Sequence, residues 1–224
     1  MAIYTERSKK YAKGIIGFAT GSLGRYREFD QCLNQLEVPP DSPIFQAMGN
    51  NVAFNYNRVV REMLTGDYQW VWLIDDDHVF APDVLVNLLE RNVDIVTAFC
   101  LKREKPYSPV LYEAETFVNP EYKALDINYF RGMSGLYKLK DNQVNGSAGM
   151  LIQRRVCVIM NDPWFENGRL EPDKNSWDLW FSQKARIACF DRYLDLDNRI
   201  GHIGHFAIWP KNENGRWRVN ITNA

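Results

Sequence analysis

Three consecutive aspartates, Asp75, Asp76 and Asp77, follow directly after a dense apolar run, Trp70-Val71-Trp72-Leu73-Ile74. In extended backbone, Asp75 and Asp77 point to one side and Asp76 to the other. Two carboxylates on one side form a site for a hard cation. Mg²⁺ and Mn²⁺ prefer such oxygens and share them with phosphate groups. Adjacent anions repel unless a cation or hydrogen-bond donors compensate. Unpaired charge after a buried strand is also costly. A solvated acidic turn is the reading without chemistry, and the apolar strand before the acids argues against it.

The chain has 3 histidines. His78 continues the acidic run. In extended backbone it faces the Asp76 side, as a local hydrogen-bond partner or as a ligand. His202 and His205 lie in Arg199-Ile200-Gly201-His202-Ile203-Gly204-His205, where two glycines permit close backbone approach. One histidine joining two carboxylates and a diphosphate would complete an octahedral Mn²⁺ or Mg²⁺ site. A zinc site of His202 and His205 lacks cysteine support and an H-E-x-x-H helix. A polar turn before Trp209-Pro210 is the purely structural reading. The 4 cysteines, Cys32, Cys100, Cys157 and Cys189, are scattered and form no C-x-x-C pair. That pattern predicts reduced thiols in a cytoplasmic protein.

These groups need a scaffold. Gly14 to Ala19 reads as a buried strand that ends at Thr20-Gly21-Ser22. A helix follows over residues 26–36, stopped by Pro39-Pro40, and Ile44–Met48 is a second strand. Val52, Tyr56, Val59, Val60, Met63 and Leu64 recur at helical spacing, with Asn51 as N-cap and Gly66 near the stop. Trp70–Ile74 is the next strand. Pro82 opens a helix carrying Val84, Leu85, Leu88 and Leu89, and Asp94–Cys100 is a further strand. Residues 101–145 read as loops and short strands. Ala148–Ile152 is a strand, Arg154–Met160 a helix, and Ser176 caps a helix bearing Trp177, Phe181, Ala185 and Ala188. Strands joined by such helices imply an α/β fold, a Rossmann-like, mostly parallel sheet with helices on both faces. Ligands in such sheets sit beyond the carboxyl ends of the strands, where the aspartates fall.

Composition bounds the class. The chain has 224 residues, 46% hydrophobic and 25% charged, with a formal net charge of -1. That is a globular mix, and the charge argues against a nucleic-acid partner. No apolar run nears the ~18 residues of a membrane span, and the N-terminus has no signal-peptide apolar core. A single domain is expected over residues 1–224. It would have two functional halves, 13–100 and 101–210, and a tail at 211–224.

Three stretches carry a resemblance to nucleotide-sugar-dependent glycosyltransferases of the GT-A fold, the family-2-like kind of bacteria and phages. The first runs from Asn57-Arg58-Val59-Val60 through Gly66-Asp67-Tyr68-Gln69 to Trp70–Asp77. It is similar to that family's asparagine-bearing helix, strand and D-x-D motif. The second is Gly146-Ser147-Ala148-Gly149-Met150-Leu151-Ile152-Gln153-Arg154-Arg155 with Pro163-Trp164-Phe165. It resembles the small-residue strand and turn of the sugar and acceptor region. The third, Trp177-Asp178-Leu179-Trp180-Phe181 with His202-Ile203-Gly204, resembles the E-D-x-x-F helix and metal-binding histidine. The match spans roughly residues 13–206. Trp177 stands where the family has Glu, and Tyr56 where an arginine often precedes the helix asparagine.

The resemblance implies a metal-dependent, hexosyltransferase-like enzyme that moves a sugar from a UDP- or GDP-sugar to an acceptor hydroxyl. It would act in the cytoplasm, that of the host if phage-encoded. Thr20, Gly21, Ser22, Asn51 and Asn57 would meet the nucleotide, with Asp75 and Asp76 beside them. Asp75, Asp77 and His202, or His205 instead, would hold Mn²⁺ or Mg²⁺. Arg103, in Lys102-Arg103-Glu104-Lys105, would face the diphosphate or the donor sugar, unless that stretch is a solvated charge run. Asp178 would be the catalytic carboxylate, kept ionised by the helix N-terminus. Ser147, Ala148, Gly149, Trp164, Trp177 and Trp180 would line the acceptor side, where aromatic faces suit sugar rings. The chain lacks G-x-G-x-x-G and G-x-x-x-x-G-K-[ST], which argues against a dinucleotide enzyme and a P-loop ATPase. A nucleotidyltransferase is an alternative, although Thr20-Gly21-Ser22-Leu23-Gly24-Arg25 only partly fits its loop. A nucleotide-sugar hydrolase and a non-catalytic carbohydrate-binding protein are the others.

Overall fold

Gly14 begins no strand itself, but the apolar run after it forms β1 (Ile15–Thr20), buried at every position. The computed structural model describes residues 3–21, 25–49, 51–116, 120–167, 177–204 and 206–223. After β1 come α1 (Arg27–Gln35), β2 (Ile44–Met48), α2 (Val52–Thr65), β3 (Trp70–Asp75) and β4 (His78–Phe80). They are followed by α3 (Val84–Glu90) and β5 (Ile95–Cys100). The middle of the chain forms β6 (Leu111–Ala114), β7 (Tyr122–Ala124), β8 (Leu136–Lys138) and β9 (Gln143–Asn145). Then follow β10 (Met150–Gln153), α4 (Arg154–Met160), α5 (Trp177–Ile187), β11 (Tyr193–Ile203), β12 (Phe206–Glu213) and β13 (Arg216–Asn223).

The main sheet has the order β13-β12-β11-β5-β10-β3-β1-β2, with β4 and β8 paired to β11. β1 lies parallel to both β2 and β3, and β5 parallel to β11. β10 runs antiparallel between β3 and β5. The result is a mixed α/β fold with a mostly parallel central sheet. From β1 the chain first moves outward to β2, then returns to lay β3 on the other side of β1. That reversal opens a crevice at the carboxyl ends of β1 and β3, where open α/β sheets take ligands. A smaller antiparallel sheet, β7-β6-β9, stands apart.

Strand alternation sorts the core into two layers. Ile15, Val71, Leu73, Met150 and Ile152 face α2, α4 and α5. Ile16, Phe18, Trp70, Trp72 and Ile74 face α1 and α3. Helices therefore cover both faces, as the sequence predicts. Arg154 stabilises one packing joint: its guanidinium donates to the carbonyls of Met63, Leu64, Gly66 and Tyr68. These are orphan carbonyls at and just beyond the end of α2.

Several boundaries differ from the sequence reading. Pro82 lies in the turn that leads into α3, near its first turn as expected, and the helix itself starts at Val84. Ala148 and Gly149 precede β10, because Gly149 takes a φ of +56°. Residues 211–223 are no tail: β12 and β13 pair along their whole length as the sheet's edge hairpin. Their polar alternation hides a strand from a hydrophobicity reading. The two expected halves also share one sheet, because β10 and β11 flank β5. Among the described residues, no helix is long and apolar enough to cross a membrane. Ser22, His205 and Ser176 lie outside the described residues.

Candidate functional site

β1 and β3 end side by side, with Ala19 opposite Asp75. Thr20 and the three aspartates therefore meet at the same sheet end. The chain does not continue extended after Asp75. Asp76 and Asp77 form a turn into β4. The expectation that His78 faces away from Asp75 fails for this reason. His78 returns beneath the acids, and its Nδ1 accepts the Asp75 N–H at 3.3 Å.

β4 pairs antiparallel with β11, and the register sets His78 opposite His202. Their rings meet edge to face, with centroids 4.9 Å apart. His202 Nε2 lies 3.1 Å from Asp77 Oδ2, and its Nδ1 lies 3.2 Å from the Leu101 carbonyl. Arg103 donates to the same Asp77 oxygen at 2.9 Å. The β11 register depends on a bulge between Asp195 and Arg199. Asp195 is wholly buried there and accepts from Nε and Nη2 of Arg91, at 2.7 and 2.9 Å. Nothing local in the sequence marks that pair.

The three carboxylates differ in how their surroundings shift them. Burial, then the charge of Asp77, raise Asp75 to about 7, against a hydrogen bond from the Tyr56 hydroxyl. The Ile74 carbonyl, 3.0 Å from the same hydroxyl, is a second acceptor competing for its one proton. Burial and Asp77 raise Asp76 too, opposed by the Thr20 hydroxyl. Burial alone would raise Asp77, but the His202 bond and the Arg103 charge hold it down. His202 is correspondingly held protonated by Asp77, against its own burial. Burial and the His202 charge keep His78 neutral, at about 3.

Asp178 reaches the same sheet end from α5. A Cβ on Gly146 would stand 2.8 Å from its Oδ2, and the next residue, Ser147, has its Oγ 3.4 Å from Asp75 Oδ2. One small-residue turn therefore touches both carboxylates. Asn145 secures that turn, bonding Thr97 of β5 and Ser182 of α5. The helix end tends to keep Asp178 ionised, and at neutral pH it is. Burial outweighs the N–H groups of Leu179 and Ser147 and pushes it up to about 6.

The remaining sequence candidates divide. Thr20 is buried at the strand end, and Gly21 is exposed with open space where a side chain would stand. Asn51 caps α2 by accepting the Phe54 N–H at 3.0 Å. Asn57 is buried away from solvent, its amide bonded to the backbone of Trp164 and Phe165. Trp164 and Trp177 are core residues. Trp164 donates to the Cys157 carbonyl at 2.8 Å, and Trp177 packs on Tyr56 with ring centroids 5.0 Å apart. Their ring faces serve packing, not a sugar. Trp180 is half-buried and donates to Glu166 at 3.2 Å. Ala148 is buried. Gly149 could carry no side chain, because a Cβ would meet Ile200 at 2.4 Å. Tyr56 is the site residue that sequence reasoning missed. Its signal was the departure from the family's arginine at that position.

Asp75, Asp77 and His78 offer ligand atoms within 4.8 Å of one another. His202 joins them through Asp77. Carboxylate oxygens with imidazole suit Mg²⁺ or Mn²⁺, and a cation would relieve the repulsion that raises Asp75. The donor set therefore fits a hard divalent ion.

No protein-family model and no curated protein sequence matches the chain. Among solved structures it is similar to A197 from STIV, with a TM-score of 0.59 at 16% identity. That alignment covers 94% of this chain and 95% of that one. S. aureus TarS aligns over 83% of this chain and 35% of its own, with a TM-score of 0.49 at 12% identity. A structure of TarS 1-349 aligns over 82% and 60%, with a TM-score of 0.47 at 14% identity. The A197 alignment runs along nearly the whole of both chains and establishes a shared fold.

Proposed function

We propose that the protein is a metal-dependent glycosyltransferase that moves a sugar from a nucleoside-diphosphate sugar to an acceptor hydroxyl. One observation supports this above the others. A hard-cation donor set and a separate carboxylate of raised pKa meet across the Gly146–Ser147 turn, at the crevice where the strand order reverses.

Asp75 and Asp77, with His202 or His78, would hold Mn²⁺ or Mg²⁺. When bound, that ion stabilises negative charge on the departing diphosphate. Arg103 stands 2.9 Å from Asp77 and is free to turn to a phosphate oxygen once a cation neutralises Asp77. Its planar fork suits that contact. Thr20 and Gly21, at the neighbouring strand end, would border the nucleotide. Asp178, with a pKa near 6, is ionised at neutral pH yet basic enough to take a proton from an acceptor hydroxyl. That role fits an inverting transfer. The sugar would pass through a transition state of oxocarbenium character. Trp180, half-buried on the same helix, is the aromatic residue of the expected acceptor side that keeps some exposure.

The test is calorimetric titration with a panel of nucleoside diphosphates and nucleotide sugars, with Mn²⁺, Mg²⁺ or EDTA. Asp77→Ala runs alongside with a check of folding. One nucleotide family should bind only with the cation and fail to bind the variant. No nucleotide binding by the folded wild-type protein under any condition would overturn the proposal. Turnover that stays maximal with water as sole acceptor would reassign the reaction to hydrolysis.

A further inference from the structure

Cys100 closes β5 directly beneath the acidic turn. It is buried, as is His78, while His202 is partly open to solvent. The three side chains offer an Sγ and two ring nitrogens, all within 4.8 Å of one another. They come from three separate strands, β5, β4 and β11, and the register of two strand pairs brings them together. Such a set is chemically unlike the carboxylate site beside it. A thiolate with two imidazoles selects a soft or borderline ion, and structural zinc sites use this combination.

We infer that His78, Cys100 and His202 form a second, thiophilic cation site, of the kind zinc occupies, that shares His202 with the carboxylate site. Four observations carry this. His202 Nδ1 lies 3.2 Å from the Leu101 carbonyl, the second bond that orients a ligating imidazole and leaves Nε2 for the ion. Asp77 Oδ2 lies 3.1 Å from that Nε2 and is the carboxylate that would swing in as a fourth ligand. Charge balances, because a doubly positive ion meets one thiolate and one carboxylate in a buried setting. The reach is also right. Tetrahedral zinc with Zn–N and Zn–S bonds of about 2.0–2.3 Å holds its ligand atoms about 3.3–3.8 Å apart. Side-chain adjustments of about 1 Å therefore close the site. The ion displaces two protons to solvent, that of the Cys100 thiol and that of His202 Nε2, which Asp77 holds in the metal-free chain. Within the proposed glycosyl-transfer reading, the shared residues make the two modes exclusive. Zinc seated on His202 and Asp77 removes ligands from the Mn²⁺ or Mg²⁺ site and so inhibits.

Cobalt is the probe. The EDTA-treated 224-residue chain is titrated with Co²⁺ and followed for a thiolate-to-cobalt charge-transfer band in the near ultraviolet. The band should saturate at one equivalent and be displaced by Zn²⁺. It should vanish in Cys100→Ser, and persist in Cys189→Ser and in Asp75→Asn. No band in the wild-type protein, or a band that survives in folded Cys100→Ser, would overturn the site. If Cys100→Ser does not fold, X-ray absorption of the zinc-loaded wild-type protein decides. One sulfur at about 2.3 Å supports the site and a shell of nitrogen and oxygen only refutes it. Competition is read from the electron paramagnetic resonance of bound Mn²⁺. The Zn²⁺ concentration that displaces Mn²⁺ should rise by at least about tenfold in Cys100→Ser. An unchanged concentration would overturn the exclusivity. A cobalt band without nucleotide binding would sink the transferase reading and leave this site standing. Nucleotide binding without the band would do the reverse.

Discussion

Replacing Asn57 with alanine should cost stability and leave nucleotide affinity alone. Asn57 Oδ1 accepts the N–H groups of Trp164 and Phe165, each at 3.0 Å, and its Nδ2 donates to the Phe165 carbonyl at 2.8 Å. All three bonds are buried, so water cannot replace them in the variant. At about 1 kcal/mol net per bond the loss is about 3 kcal/mol, and unpaired backbone groups push it upward. For a chain of this size 1 kcal/mol moves the melting temperature by about 2–4 °C, so a fall of about 6–12 °C is expected. The damage should stay local at first. The anchored turn leans on α5 through Phe165, which stacks on Phe181 with centroids 4.8 Å apart. Urea denaturation and thermal melting give the stability. Calorimetry with nucleoside diphosphate and Mn²⁺, at a temperature where both proteins are folded, gives the affinity. A stability loss below about 1 kcal/mol together with weakened nucleotide binding would refute the reasoning. It would mean that the amide faces ligand rather than the turn.

With saturating Mn²⁺, kcat should fall as the pH drops below about 6, where Asp178 takes up a proton. Asp178→Asn should abolish turnover and keep nucleotide binding; a pH profile flat to pH 5 in the wild type would exclude Asp178 as the base. Without a cation, the folded chain between about pH 4 and about pH 7 keeps a proton on Asp75 that the unfolded chain has released. Folding stability should therefore fall as the pH rises through that window, and Mn²⁺ should raise the melting temperature more at pH 7.5 than at pH 5.5. Tyr56→Phe removes a bond that favours the charged form of Asp75, so Mn²⁺ binding should need a higher pH; an unchanged pH dependence in calorimetry would show that the hydroxyl does not tune this carboxylate. Gly146→Ala sets a Cβ 2.3 Å from Val110 and 2.8 Å from Asp178 Oδ2. It should lower kcat with little change in donor affinity, and a variant with wild-type kcat would show that the turn yields without moving Asp178.

What the amino-acid order determines by itself is the local layer. Val59, Val60 and Met63 mark α2 by their spacing, and Trp70–Ile74 marks β3 by its density of apolar residues. Asn51 marks the start of α2 because its short side chain can reach a backbone N–H three residues on. These signals act over a few residues and survive without a tertiary context. The placing of Asp75 and Asp77 at a strand end follows from them. The partners of those acids do not. His78 joins Asp75 because a turn at Asp76 and Asp77 interrupts the extended chain. His202 meets Asp77 across 125 residues because β4 and β11 pair in one register, beside the ion pair of half-buried Arg91 with buried Asp195. Cys100 stands next to both histidines for the same reason. Asn57, Trp164 and Trp177 have the types of ligand-facing residues, yet burial turns them into packing. Long-range register and burial depend on which surfaces meet in the folded chain, and no window of neighbouring residues contains that information. The kinds of chemistry are therefore written in the sequence, and the tertiary fold decides which groups share a site.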